Sequence, residues 1–90
     1  IKGLDNKPQK IAIHRVINKK FTLLDELASK KQIILLNEIP ESIQIIADSY
    51  QLEIILHILL TNAIKFTPSK GKVIVSAVQA NDFTEINIID

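Results

Sequence analysis

Apolar residues recur along the chain with two periods, and the periods mark its elements. From His14 to Lys31 the apolar positions Ile17, Phe21, Leu24 and Ala28 fall on one side of a helix. Val16, Leu23 and Leu27 widen that side, while Arg15, Lys19, Asp25 and Lys30 cover the rest. This is the stripe of an amphipathic helix with a broad apolar face. Lys30 and Lys31 suit the negative end of its dipole. A second helical run, from Ser49 to Phe66, carries Leu52, Ile55, Leu56, Leu59, Leu60 and Ala63 on its expected core face. Ile54, Ile58 and Ile64 leave little of it polar, so this helix is expected to be largely buried. Asp48 before it and Gln51 three residues on form a capping box, and Pro68 stops it from two residues beyond.

Shorter runs read as strands. These are "QKIAI" (9–13), "QIILLNEI" (32–39), "IQIIA" (43–47), "KVIVSAV" (72–78) and "FTEINII" (83–89). Pro40 with the Glu41-Ser42 turn separates the second from the third, and "QAND" is short enough to join the last two as an antiparallel hairpin. In the last strand Thr84, Ile86 and Ile88 share one face, opposite Phe83, Glu85, Asn87 and Ile89. The order β-α-β-β-α-β-β predicts an α+β fold, a two-layer α/β sandwich with one mixed sheet. Residues 1–8, with Gly3, Asp5, Asn6 and Pro8, read as a linker, and residues 9–90 as one domain.

Composition narrows the picture. A chain of 90 residues buries only about 60 to 65% of the surface its unfolded form exposes, so the core is thin. Aromatics are limited to Phe21, Tyr50, Phe66 and Phe83, which leaves Ile and Leu to build it. A formal net charge of +1 gives no bulk electrostatic case for nucleic acid or a membrane surface. The lack of Cys excludes a disulfide framework, a Cys-based zinc site and a thiol nucleophile. No run approaches the roughly 18 apolar residues of a membrane span, and no signal peptide is evident. The chain opens at Ile1 and holds no Met, so it is expected to be a piece of a longer protein.

The chemistry gathers at the end of the second helix. Asn62, Lys65 and Phe66 stand at i, i+3 and i+4 and therefore share one helical face. An amide oxygen can ligate Mg²⁺ beside substrate phosphates, an ammonium can neutralise a phosphate, and a ring can lie against a base. Spacing alone favours a blander alternative: a Lys that complements the helix dipole and a Phe in the core. His14 reads as a helix-start residue and His57 as a boundary residue. They stand 43 residues apart in the sequence and make no metal case. Lys65, Lys70 and Lys72 surround the Gly71 loop, but no G-x-x-x-x-G-K-[ST] motif exists. Three lysines and one Phe are thin evidence for RNA.

The stretch from Ala47 to Val75, "ADSYQLEIILHILLTNAIKFTPSKGKVIV", resembles the N-box region of the ATP-binding domain of sensor histidine kinases. The match lies at Asp48, Leu59, Leu60, Asn62, Ala63, Lys65, Phe66, Thr67, Pro68 and Gly71. The final "INIID" is similar to the strand that enters the family's Asp-x-Gly-x-Gly box, with Asp90 as its Asp. The likeness covers roughly residues 9 to 90. It implies the Bergerat-type ATPase fold and Mg²⁺-ATP as cofactor. Asn62 would ligate Mg²⁺, Lys65 would contact a phosphate, Phe66 would lie near the adenine, and Asp90 would accept a hydrogen bond from the adenine amino group. The intact parent would be a protein-histidine kinase. Its partners would be a phosphoacceptor histidine on a separate dimerisation domain and a response regulator.

The likeness further implies a cytoplasmic domain, with any sensor or membrane region upstream. The glycines of the box, the lid and the acceptor motif lie outside these residues. The 90 residues alone are therefore expected to be inactive, to bind nucleotide weakly or not at all, and to self-associate through exposed sheet edges. One position departs from the pattern. Ile58 stands where family members often carry Asn, and Ile can neither ligate a metal nor orient water. The alternative reading is a degenerate, non-catalytic Bergerat-fold module kept for partner binding.

Overall fold

The computed structural model describes residues 7–90; most of the expected linker, residues 1–6, lies outside the described residues. Seven elements follow in the expected order: β1 (Pro8–Ala12), α1 (Ile13–Lys30), β2 (Ile34–Asn37), β3 (Gln44–Asp48), α2 (Ser49–Phe66), β4 (Lys72–Gln79) and β5 (Thr84–Ile89). The fold is α+β with two helices laid against strands, and the molecule measures 38 × 33 × 18 Å. The short dimension is what one helix layer on one sheet layer requires.

The mixed sheet is present, with strand order β2-β4-β5. β2 runs parallel to β4, with Leu35 opposite Val73 and Asn37 opposite Val75. β4 and β5 form the antiparallel hairpin, with Val75 opposite Ile88. The expectation that all five strands share one sheet is corrected: β1 and β3 pair with each other in a separate two-stranded ladder, from Pro8–Asp48 to Ala12–Gln44. The physical reason lies between β2 and β3. Pro40 has no N–H to offer a ladder, and its carbonyl accepts from Ile43 N at 3.2 Å, turning the chain before β3 begins. Pro8 is tolerated because it is the first residue of its strand.

The core sits between the layers. Ile13, Ile17, Leu24 and Ala28 of α1 and Leu56, Leu60, Ala63 and Ile64 of α2 meet Val73 and Val75 of β4. Val73 and Val75 alternate with half-buried Ile74 and Ser76, the period of a strand with one face inward. Ile86 and Ile88 of β5 pack against the same core, while Phe83 and Ile89 are exposed. The start of α1 is tied to the end of β2 by side chains. Nδ1–H of His14 donates to the Ile39 carbonyl at 2.6 Å, and Asn37 Nδ2 donates to the His14 carbonyl at 2.9 Å. His14 is thus a structural residue at a helix start.

Two burial expectations change. In α1, Leu23 and Leu27 are exposed although they were expected to widen the apolar stripe. α2 is not largely buried. Its inward stripe is Leu56, Leu60, Ala63 and Ile64, at i, i+4, i+7 and i+8, whereas Ile54, Ile55, Ile58 and Leu59 are all exposed. α1 and the sheet cover α2 on one side only. Ile54, Ile55, Ile58 and Leu59 stay about half exposed, while Leu52 packs against the core.

Candidate functional site

α2 begins where the sequence said it would. The Asp48 carboxylate accepts from Gln51 N at 2.9 Å, satisfying one of the four N–H groups that a helix start leaves without partners. The far end is less ordinary. Thr67 is the C-cap in extended conformation, φ −75° and ψ 131°, and its N–H bonds to Ala63 O. The next residue is Pro68, which has no N–H. The common self-capping motifs need an N–H at that position, so they are chemically closed to this helix.

A lysine from elsewhere in the chain supplies the donors. The ammonium of Lys31 donates to the carbonyls of Ile64 at 2.7 Å, Lys65 at 2.9 Å and Thr67 at 2.6 Å. Lys31 was expected to serve the dipole of its own helix; it serves the other. The backbone of Lys31 also holds the following loop, its carbonyl accepting from Lys70 N at 2.9 Å. That loop closes as Gly71 N bonds Pro68 O at 3.0 Å, with Lys70 at φ 72°. Gly71 is required by close approach: a Cβ there would meet Thr67 Cγ2 at 2.6 Å.

Above this capped turn lies a shallow cleft of about 240 Å³, lined by Leu59, Asn62, Ala63, Phe66, Ile88 and Asp90. Three of the four residues singled out in the sequence therefore share one cavity, although Asp90 comes from the end of β5 and the others from α2. Lys65 is not in its wall; its ammonium stands 5.4 Å from the centroid of the Phe66 ring, within cation–π range. Phe66 is 70% exposed, so it is not the core residue that the bland reading of its position allowed. Thr67, only 2% exposed, donates its hydroxyl to Asp90 Oδ2 at 3.2 Å and so links the end of α2 to the end of β5. A carboxylate has roughly four lone-pair positions, so Asp90 retains capacity to accept from a ligand.

Chemically, the cleft offers an amide, a carboxylate and the open face of a ring, with one ammonium at its edge. Among the described residues no group of three His, Cys, Asp or Glu could hold a metal ion. A cation here would lean on oxygens brought by its ligand. Ile58 does not line this cleft. It lies in a neighbouring groove with Lys20, Tyr50, Glu53, Ile54 and exposed His57. Sequence reasoning passed over Thr67 and Lys31 as site residues. The signal for Lys31 was Pro68: a proline directly after a helix cap leaves carbonyls that another side chain or water must satisfy.

Among solved structures, the catalytic domain of histidine kinase ThkA superimposes with a TM-score of 0.83 at 20% identity, over 91% of this chain and 57% of that one. The histidine kinase AdeS of Acinetobacter baumannii gives 0.85 at 16% identity, over 94% of this chain and 42% of that one. ThkA in complex with response regulator protein TrrA gives 0.80 at 21% identity, over 90% and 25%. The chain thus has the histidine kinase catalytic-domain fold and spans little more than half the length of the ThkA domain. No protein-family model and no curated protein sequence matches it. No helix among the described residues is long and apolar enough to cross a membrane.

Proposed function

We propose that the chain is the nucleotide-binding core of a sensor histidine kinase, with Mg²⁺-ATP seated over the last turn of α2. The observation that carries this reading is the meeting of Asn62, Phe66 and Asp90 in one cleft, within a chain of that fold. Asn62 Oδ1 is an uncharged oxygen of the kind Mg²⁺ accepts beside phosphates. The exposed ring of Phe66 offers a face for the base, Asp90 accepts from its amino group, and Lys65 reaches a phosphate as a point charge. Bound ATP would supply the transferable phosphoryl group and Mg²⁺ the neutralising charge, so these residues have only to position and compensate.

The cleft, about 240 Å³, is smaller than the roughly 300–1,000 Å³ typical of ligand pockets. This supports a site that is half built by these residues. The chain alone is therefore expected to hold nucleotide weakly and to transfer no phosphoryl group. In the whole protein the phosphoryl would pass to a histidine of another domain and on to a response regulator, in the cytoplasm. An NMR titration of the chain with millimolar ATP tests the reading. Saturable, Mg²⁺-dependent shifts at Asn62, Phe66 and Asp90 that vanish in Asn62→Ala are expected. Shifts that ignore Mg²⁺ or survive Asn62→Ala would refute it.

A second reading is favoured by the outer face of α2. Tyr50, Ile54 and Ile58 are exposed together there, as in a module kept for binding a partner or a second copy. Sedimentation that stays monomeric at high concentration would remove the second copy from consideration.

A further inference from the structure

The last turn of α2 is built unlike other helix ends, and the consequence reaches the cleft. Pro68 removes the N–H that would close the helix on itself, and the three carbonyls of Ile64, Lys65 and Thr67 converge on one ammonium, that of Lys31. The residues carrying those carbonyls interleave with the site. Asn62 and Phe66 flank Ile64 and Lys65 on the same turn, and Thr67 holds Asp90 through its hydroxyl. The route is continuous: Lys31 ammonium to Thr67 carbonyl, Thr67 hydroxyl to Asp90 carboxylate. The backbone of Lys31 fixes the loop on the other side through Lys70 N. A compact ammonium with three rotatable protons suits three converging carbonyls, whereas a planar guanidinium does not.

We infer that Lys31 is a positioning residue for the cleft: it sets the relative placement of Asn62, Phe66 and Asp90 without touching what binds there. For what these residues bind, the inference rests on the nucleotide reading; for how they are held, it stands on the hydrogen bonds alone. Partners that orient ligating groups at metal sites are worth roughly 10- to 100-fold in affinity, and an effect of about that size is expected here.

The chain has no Cys, which permits a chemical test in the intact 90-residue protein. Lys31→Cys removes the ammonium, and alkylation of the single thiol with bromoethylamine restores it on a stem of nearly the same length. Backbone and side-chain NMR spectra of wild type, Lys31→Cys and the aminoethylated protein would be compared, each with and without Mg²⁺-ATP. Lys31→Cys is expected to displace the signals of Asn62, Phe66, Thr67 and Asp90 while the β1–β3 ladder keeps its shifts. Nucleotide binding should weaken by about tenfold or more, and aminoethylation should return both. Unmoved signals at Asn62, Phe66 and Asp90, or displaced ones that aminoethylation fails to return, would overturn the inference. If wild type binds no nucleotide, the weak binding proposed for these 90 residues falls, and the shifts of the unliganded proteins still decide the role of Lys31. If Lys31→Cys does not fold, Lys31→Arg carries the test, since it keeps the charge but replaces the converging donors by a planar set. Selective displacement of the same four residues supports the inference, and their immobility overturns it.

Discussion

α1 and α2 have equal length and end in opposite ways. α1 closes on itself. After its cap Lys31, Gln32 adopts the left-handed conformation at φ 57°, Gln32 N bonds Ser29 O at 2.9 Å, and Ile33 N bonds Ala28 O at 2.9 Å. Both bonds are those of a Schellman motif, and the buried pair Ala28 and Ile33 gives it the usual apolar contact. α2 cannot do this, because Pro68 follows its cap, and it borrows three hydrogen bonds from a side chain just beyond α1. The self-sufficient end carries no candidate chemistry; the dependent end carries all of it. A helix end whose closure is supplied from outside can be set by distant structure, and that suits a site assembled from two elements.

Substitutions at the two ends should therefore differ in size and sign. The largest loss is expected from Ile64→Ala. This side chain is 1% exposed in the last turn of α2, and truncating such a residue costs about 2–5 kcal/mol, read as a lower urea midpoint at unchanged slope. Lys31→Met should follow at about 1.5–3 kcal/mol, the scale of hydrogen bonds to a charged group; a loss near zero would mean the carbonyls find water instead. Gly71→Ala should cost about 1–3 kcal/mol by overpacking against Thr67 and should shift the Asp90 signals with it.

The smallest effect has the opposite sign. Gln32→Gly relieves a left-handed residue, worth about 1–2 kcal/mol, less about 0.4–1 kcal/mol for the freer unfolded chain, so a modest stabilisation is expected. Glycine at the cap of α2, Thr67→Gly, finds no left-handed residue to relieve and loses the hydroxyl bond to Asp90. It should destabilise, and equal signs at the two positions would erase the contrast.

Much of this was legible in the residues. The bounds of α2 could be read to the residue because Asp48 and Pro68 are chemical stops, and the short apolar runs located every strand, although Ile13, read as the end of the first, opens α1. Burial was read less well. Ile54, Ile55 and Ile58 look like core by composition, but helix composition does not say how many sides a thin domain can cover. The division of strands was also hidden, since pairing depends on where the Pro40 turn sends the chain and not on strand character. The meeting of Asn62 with Asp90 came only from resemblance, because no local pattern joins residues on different elements. Lys31 was visible as a cation but not as a cap for α2, as that requires knowing which helix end lies beside it.

If Asn62 holds the metal of a bound Mg²⁺-ATP, as proposed above, paramagnetic broadening by Mn²⁺, which accepts the same oxygen ligands, must centre on it. With ATP present, trace Mn²⁺ should broaden the Asn62 side-chain amide first and most, and far less so when ATP is left out. Broadening that is the same without ATP, or that centres on surface carboxylates and spares Asn62, would mean that Asn62 does not hold the metal.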